Sequence, residues 1–197
     1  MDRKDYFLII LVLGSLWGFF EMIALPVWIL CALGLLFLVL GRKLVDIPGT
    51  SIAMGLIVCA YKTYGDNFFI CQWAGVVALA GSFELFTSFV FKHNWQKPFF
   101  TALIGLVANI TALIVFVFTV LVIFKEPNWV AGGMQRIINY ALSATLPAAV
   151  LSGVLTANLG LYIGSKLRNY HFLFHGKLIP GLYITTILLL WIAASIN

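Results

Sequence analysis

Charged residues are scarce in this chain of 197 residues, at 10% of the sequence. Twelve are Lys or Arg and seven are Asp or Glu, whereas hydrophobic residues make up 62%. The mean hydropathy is +1.05. A water-soluble domain of this size cannot hide so much apolar surface, whereas a lipid bilayer solvates it. We therefore expect an all-α, polytopic transmembrane helical bundle that forms a single domain over residues 1–197.

Several motifs that define other classes of protein are missing. The sequence has no glycine-rich nucleotide-binding loop and no dinucleotide fingerprint, so any ATP-driven work would need another chain. The net charge of +5 comes from basic residues scattered at segment ends, which is not the pattern of a nucleic-acid-binding surface. Cys31, Cys59 and Cys71 lack metal-type spacing, and we interpret them as inert thiols. We expect no metal and no cofactor.

Seven apolar segments separated by short polar connections predict six to seven helices. They cover residues 6–24, 27–41, 50–61, 69–91, 99–124, 137–165 and 178–196. A helix needs about 20 residues to cross a bilayer, and the last four segments approach or exceed that length. The second and third are short, so we expect them to be tilted, buried in the bundle or partly re-entrant. Pro26 predicts a break between the first two helices, and Pro147 predicts a kink within the sixth.

The distribution of basic residues predicts the orientation in the membrane. If the N-terminus is cytoplasmic and every segment crosses, one side receives nine of the twelve basic residues and the other side three. Basic residues concentrate on the cytoplasmic side of membrane proteins, so this orientation is favoured. The nine are Arg3, Lys4, Arg42, Lys43, Lys92, Lys97, Lys166, Arg168 and Lys177, and the three are Lys62, Lys125 and Arg136.

Three ionisable residues, Glu21, Lys62 and Glu84, fall within or at the edge of apolar segments. Placing a charge at the membrane centre costs at least about 2.5 kcal/mol, so we expect each of these residues to have a partner or a function there. Glu21 lies at the end of the first predicted helix and Lys62 at the end of the third. Both are near the expected external face, where they can pair with each other. Glu84 lies closer to the cytoplasmic side, with no basic partner evident at its depth. It is either a neutral acid bonded to a neighbouring helix or a ligand or coupling group facing the bundle interior.

Aromatic and polar residues near the external ends of the early helices predict a ligand pocket. Tyr64, Asp66 and Asn67 belong to the same region. Aromatic faces with a few polar groups suit a small planar ligand, although Trp and Tyr at this depth also serve as interfacial anchors. The candidate ligand-binding residues are Trp17, Glu21, Lys62, Gln72, Trp73 and Glu84.

Small residues recur at helical spacing on three of the predicted helices. Such faces let helix backbones approach closely in lipid, either within one bundle or between two membrane proteins. Gly14 and Gly18 lie one turn apart on the first helix, and Gly81 lies on the fourth. We take these three glycines as candidate partner-docking residues. Gly153, Gly160 and Gly164 form part of a similar ridge on the sixth helix.

Three stretches in the first half of the chain resemble the substrate-binding S components of energy-coupling factor transporters. They are residues 14–21 (GSLWGFFE), 47–55 (IPGTSIAMG) and 81–84 (GSFE). The resemblance implies a subunit that binds a vitamin or a metal at its external side. It also implies docking to a transmembrane coupling protein served by two ATPases. We expect an integral protein of a bacterial or archaeal cytoplasmic membrane.

These observations favour a membrane-embedded subunit for binding and uptake of a vitamin- or metal-type small molecule, without its own ATPase. Its partners would be the lipid bilayer, the ligand and a membrane protein, and not nucleic acid. The alternative is a structural or assembly subunit of a larger membrane complex. A membrane enzyme acting on a lipid is a third hypothesis, which would need Glu84, His171 or His175 for turnover. We do not expect an enzyme.

Overall fold

The computed structural model describes residues 3–23, 25–63, 70–169 and 179–196, and in these ranges the chain is helical and has no β-strand. The all-α fold class is therefore confirmed. The helices are α1 (Arg3–Met22), α2 (Val27–Leu44), α3 (Thr50–Lys62), α4 (Ile70–Leu85), α5 (Pro98–Phe118), α6 (Pro127–Tyr140), α7 (Leu146–Leu151), α8 (Ala157–Asn169) and α9 (Ile179–Ile196). The predicted break is found, because Pro26 lies immediately before α2.

Several helices contain π-helical turns, which sequence analysis did not predict. One extends α4 over Phe86–Val90, and another extends α5 over Thr119–Ile123. Two more, at Ala141–Thr145 and Ser152–Thr156, join α6, α7 and α8 into one helical run. Pro147 lies in the first turn of α7, immediately after the first of these two turns. The irregularity expected near this proline therefore takes the form of π turns.

The described residues include five helical segments that are long and apolar enough to cross a membrane. They are Asp5–Met22, Val27–Leu44, Ile70–Val90, Pro98–Ile123 and Pro127–Arg168. α2 runs three residues beyond its predicted end and reaches spanning length. α3 has only 13 residues, about 20 Å at the helical rise, which is too short to cross the hydrocarbon core. The chain is an integral membrane protein.

The packing separates a dense interior from an apolar outer surface. α2 contacts α1, α3, α4, α7 and α8, and its Leu35, Leu38 and Val39 are fully buried. On the outside, large apolar side chains such as Ile114 and Phe118 of α5 are more than half exposed. Exposed apolar area of this extent is expected where the solvent is lipid.

Glycines allow the closest helix contacts, and two of them correct a prediction. A Cβ atom on Gly14 would lie 3.0 Å from Ile57, and one on Gly18 would lie 2.6 Å from the Tyr61 ring. Both glycines are therefore covered by α3 of the same chain, and the prediction that they dock a partner is wrong. Gly81 differs, because an added Cβ would meet nothing within 4 Å.

Candidate functional site

A cavity of about 390 Å³ opens where α1 and α3 end and where α2 and α4 begin. The second half of α5 and residues of the segment from Trp129 to Thr145 complete its wall. Pockets that bind small molecules usually have volumes of about 300–1,000 Å³ and mix apolar walls with a few polar groups. Trp17, Glu21, Lys62 and Gln72 line this cavity, as expected of a pocket built from these residues.

An ion pair forms one wall. Lys62 Nζ lies 2.9 Å from Glu21 Oε2, and only 9% of each side chain is exposed. Lys62 Nζ also donates a hydrogen bond of 3.3 Å to the Glu21 carbonyl oxygen. Trp17 Nε1 donates to Glu21 Oε1 at 3.2 Å. The pairing expected from the sequence is confirmed. Each charge offsets part of the free-energy cost of burying the other.

Local sequence explains how these three side chains meet. Trp17 and Glu21 are four residues apart on α1, so they project from the same face of the helix. A Cβ atom on Gly34 of α2 would lie 2.9 Å from the Trp17 ring, so the glycine makes room for the indole. Gly18 lets α3 approach α1 closely, which brings Lys62, the last residue of α3, to the last turn of α1.

Aromatic rings form another part of the wall, which sequence analysis missed. Phe116 of α5 stacks on Tyr140 with ring centroids 5.5 Å apart, and Trp129 packs edge-on against both rings at 5.0 and 5.3 Å. Trp129 is only 6% exposed. Aromatic side chains combine a large apolar area with defined stacking geometry, which suits a planar ligand.

The start of α6 carries Trp129 to the cavity. Glu126 caps this helix, because its Oε2 accepts a hydrogen bond of 3.0 Å from the Trp129 backbone N–H. The segment lies between two residues with left-handed φ angles, Lys125 at 49° and Gly133 at 53°. Gly133 also has a ψ of −149°, a region that side chains other than glycine avoid. Arg136 lies over the Trp129 ring, 5.1 Å from its centroid.

Asn109 supplies a buried polar group from the middle of α5. Its Nδ2 donates to the Gly105 carbonyl oxygen at 2.8 Å and to Ser152 Oγ at 3.1 Å. These bonds use both donor hydrogens, so the amide oxygen is the part of this side chain that can serve a ligand. A polar residue within an apolar span often marks a functional site. Asn109 is therefore the sequence feature that could have indicated this part of the site.

Glu84, predicted as a ligand residue, lies outside this cavity and binds the start of α3. Its Oε1 accepts from the Gly49 backbone N–H at 2.9 Å, and its Oε2 accepts from the Ser51 backbone N–H at 3.1 Å. Ser88 Oγ also donates to Oε1, and Arg42 Nη2 donates to Ser88 Oγ at 3.1 Å. Arg42 thus reaches Glu84 through Ser88, a basic partner that sequence analysis did not find. The contacts make Glu84 a capping group for α3.

Two further predicted residues lie away from the cavity. Trp73, predicted as a ligand residue, and Gly81 line an apolar groove between α4 and α5 instead. Tyr64, Asp66 and Asn67 lie outside the residues that the structure describes, as do His171 and His175. Within the described ranges, no three His, Cys, Asp or Glu side chains come together in a group able to hold a metal ion.

Comparison with known proteins adds nothing to this geometry. No protein-family model, curated protein or solved structure matches the chain. The function therefore has to be inferred from the residues of the site.

Proposed function

We propose that this chain is a membrane-embedded binding and uptake subunit whose small-molecule ligand occupies the cavity. The observation that carries the proposal is the composition of the cavity wall. A buried ion pair and the amide of Asn109 face the same space as a three-ring aromatic wall. Small-molecule sites typically combine such apolar surfaces with a few placed polar groups.

The geometry favours an organic ligand over a metal ion. Hard and borderline metal ions in proteins need several carboxylate, imidazole or thiolate ligands around one point. Of the described residues in the cavity wall, Glu21 supplies the one carboxylate, and Lys62 already pairs with it. A vitamin-type ligand therefore fits these walls better than a metal ion.

The proposal also includes the side of the membrane on which the cavity opens and the source of energy for transport. With a cytoplasmic N-terminus, α1 crosses the membrane once before it ends beside the cavity, so the cavity would open at the external face, as uptake requires. Lys43 and Gln96, bonded at 2.5 Å, then lie at the cytoplasmic end, where basic residues are expected. Transport would depend on a partner that supplies the motor.

The test is ligand-dependent stabilisation of the purified protein with a panel of vitamins and related ring compounds. A ligand at 100 times its Kd should stabilise the fold by about 2.7 kcal/mol. Gly75 lines the cavity, and an added Cβ would meet only Phe116, at 3.9 Å. Gly75→Leu should therefore fill the cavity and abolish stabilisation, whereas Gly81→Leu on the same helix should retain it. If no compound stabilises the wild-type protein, the proposal fails.

A second candidate function is a structural or assembly subunit of a larger membrane complex. It is favoured by the apolar groove between α4 and α5, where Gly81 has open space beside it and Val77 and Leu85 are nearly half exposed. Co-purification of a stoichiometric membrane protein that Gly81→Leu displaces would support this function. Retention of that partner by Gly81→Leu would argue against the groove as its contact.

A further inference from the structure

The charge on the cavity wall restricts the kind of ligand that it accepts. Among the described residues that line the cavity, Glu21 and Lys62 are the charged ones, and they form an ion pair. The other polar groups of the wall, such as Gln72, Asn109 and Thr145, carry no formal charge. The described part of the wall therefore has a net charge of zero.

A ligand with a net charge would fit this wall poorly. An anion attracted to Lys62 would compete with Glu21 and leave that carboxylate without its partner, and a cation would do the same to Lys62. An unpaired charge in a buried site is costly, because the low dielectric strengthens repulsion and prevents solvation. A zwitterion instead offers a counter-charge to each residue, and an uncharged polar molecule leaves the pair intact.

The aromatic part of the wall adds a second restriction. Phe116, Trp129 and Tyr140 present ring surfaces, and planar π-systems gain from offset or edge-on contacts with them. We propose, on the basis of the proposed function, that the ligand is a planar aromatic molecule with no net charge. The Glu21–Lys62 pair is the element that selects for this charge.

A matched series of indoles tests the inference on the full chain in detergent micelles at neutral pH. Tryptophan and indole-3-ethanol have no net charge, tryptamine is a cation and indole-3-propionate is an anion. Binding to the wild-type protein is measured by titration calorimetry. The two net-neutral compounds should bind at least about tenfold more tightly than either charged compound.

Two substitutions change the charge of the wall in opposite directions. Glu21→Gln makes the wall positive, so preference should move to indole-3-propionate. Lys62→Gln makes it negative, so preference should move to tryptamine. Asp46→Asn removes one negative charge from a residue that is 44% exposed and outside the cavity, and it should change no preference. If Lys62→Gln does not fold, Glu21→Gln decides, because Lys62 still bonds to the carbonyl oxygen of residue 21.

The outcomes separate this inference from the proposed function. Equal binding of charged and net-neutral indoles to the wild-type protein, or unchanged preference in Glu21→Gln, overturns the inference and leaves the proposed function standing. If none of the four indoles binds and only non-aromatic compounds stabilise the protein, the aromatic class is wrong and the function stands. If nothing binds at all, both fall.

Discussion

The strongest energetic prediction concerns the buried ion pair between Glu21 and Lys62. Lys62→Met keeps the approximate length of the side chain but leaves the Glu21 carboxylate buried, with the Trp17 indole as its remaining side-chain partner among the described residues. Removing one member of a buried pair typically costs about 3–5 kcal/mol. Glu21→Gln should cost less, at least about 2 kcal/mol, because Lys62 retains the backbone oxygen at 3.3 Å.

The double variant, Glu21→Gln with Lys62→Met, distinguishes a real pair from two separate polar residues. It removes both charges together, so its loss should be smaller than the sum of the single losses by at least about 2 kcal/mol. The assay is unfolding in mixed micelles with increasing denaturing detergent, followed by the helical circular-dichroism signal. Additive losses, with a coupling energy below about 0.5 kcal/mol, would show that Glu21 and Lys62 do not stabilise the fold as a pair.

Three further substitutions test the packing and the backbone, with Gly81→Ala as a common control that should be neutral because the added Cβ meets nothing within 4 Å. Gly18→Ala should lower the melting temperature, because its Cβ would lie 2.6 Å from the Tyr61 ring; a melting temperature equal to that of the control would contradict the α1–α3 contact. Gly133→Ala should cost about 1–3 kcal/mol of unfolding free energy, because its φ of 53° and ψ of −149° disfavour a side chain; an unchanged free energy would argue against this backbone. Glu84→Ala should cost at least about 2 kcal/mol, because two backbone N–H groups lose their acceptor, yet ligand affinity should stay the same; weaker binding with unchanged stability would return Glu84 to the site.

Much of the fold is predictable because the bilayer imposes a simple constraint. Each backbone polar group must be satisfied inside the membrane, so long apolar runs become helices, and their ends follow prolines and charges. Six of the predicted segments begin within two or three residues of the observed helices, and α2 begins at Val27 as predicted. The sixth segment, predicted from residue 137, is the exception, since α6 begins at Pro127 and is interrupted at Gly133, where the backbone is not helical. Trp129 was missed for the same reason, because the polar stretch around Gly132 hides this helix in a hydropathy profile.

The site is less predictable, because it depends on which helices meet. Glu21 and Lys62 are recognisable from the sequence, since charges at adjacent helix ends in a membrane need partners. Phe116 and Tyr140 have no such signal, because aromatic residues are common in apolar spans. Glu84 bonds to backbone N–H groups of Gly49 and Ser51, and backbone donors leave no mark in the sequence. Small-residue faces likewise do not show whether a helix of the same chain or a partner covers them.

The most direct test of the cavity as a ligand site is native mass spectrometry of the protein extracted gently in its own lipids. A small-molecule adduct that dissociates on activation should appear on the wild-type protein and on Gly81→Leu. No such adduct should appear on Gly75→Leu, whose side chain would occupy the cavity. An adduct of the same mass and abundance on all three proteins would contradict the proposed ligand site. So would a chain that carries no small molecule and is released only in complex with a protein partner.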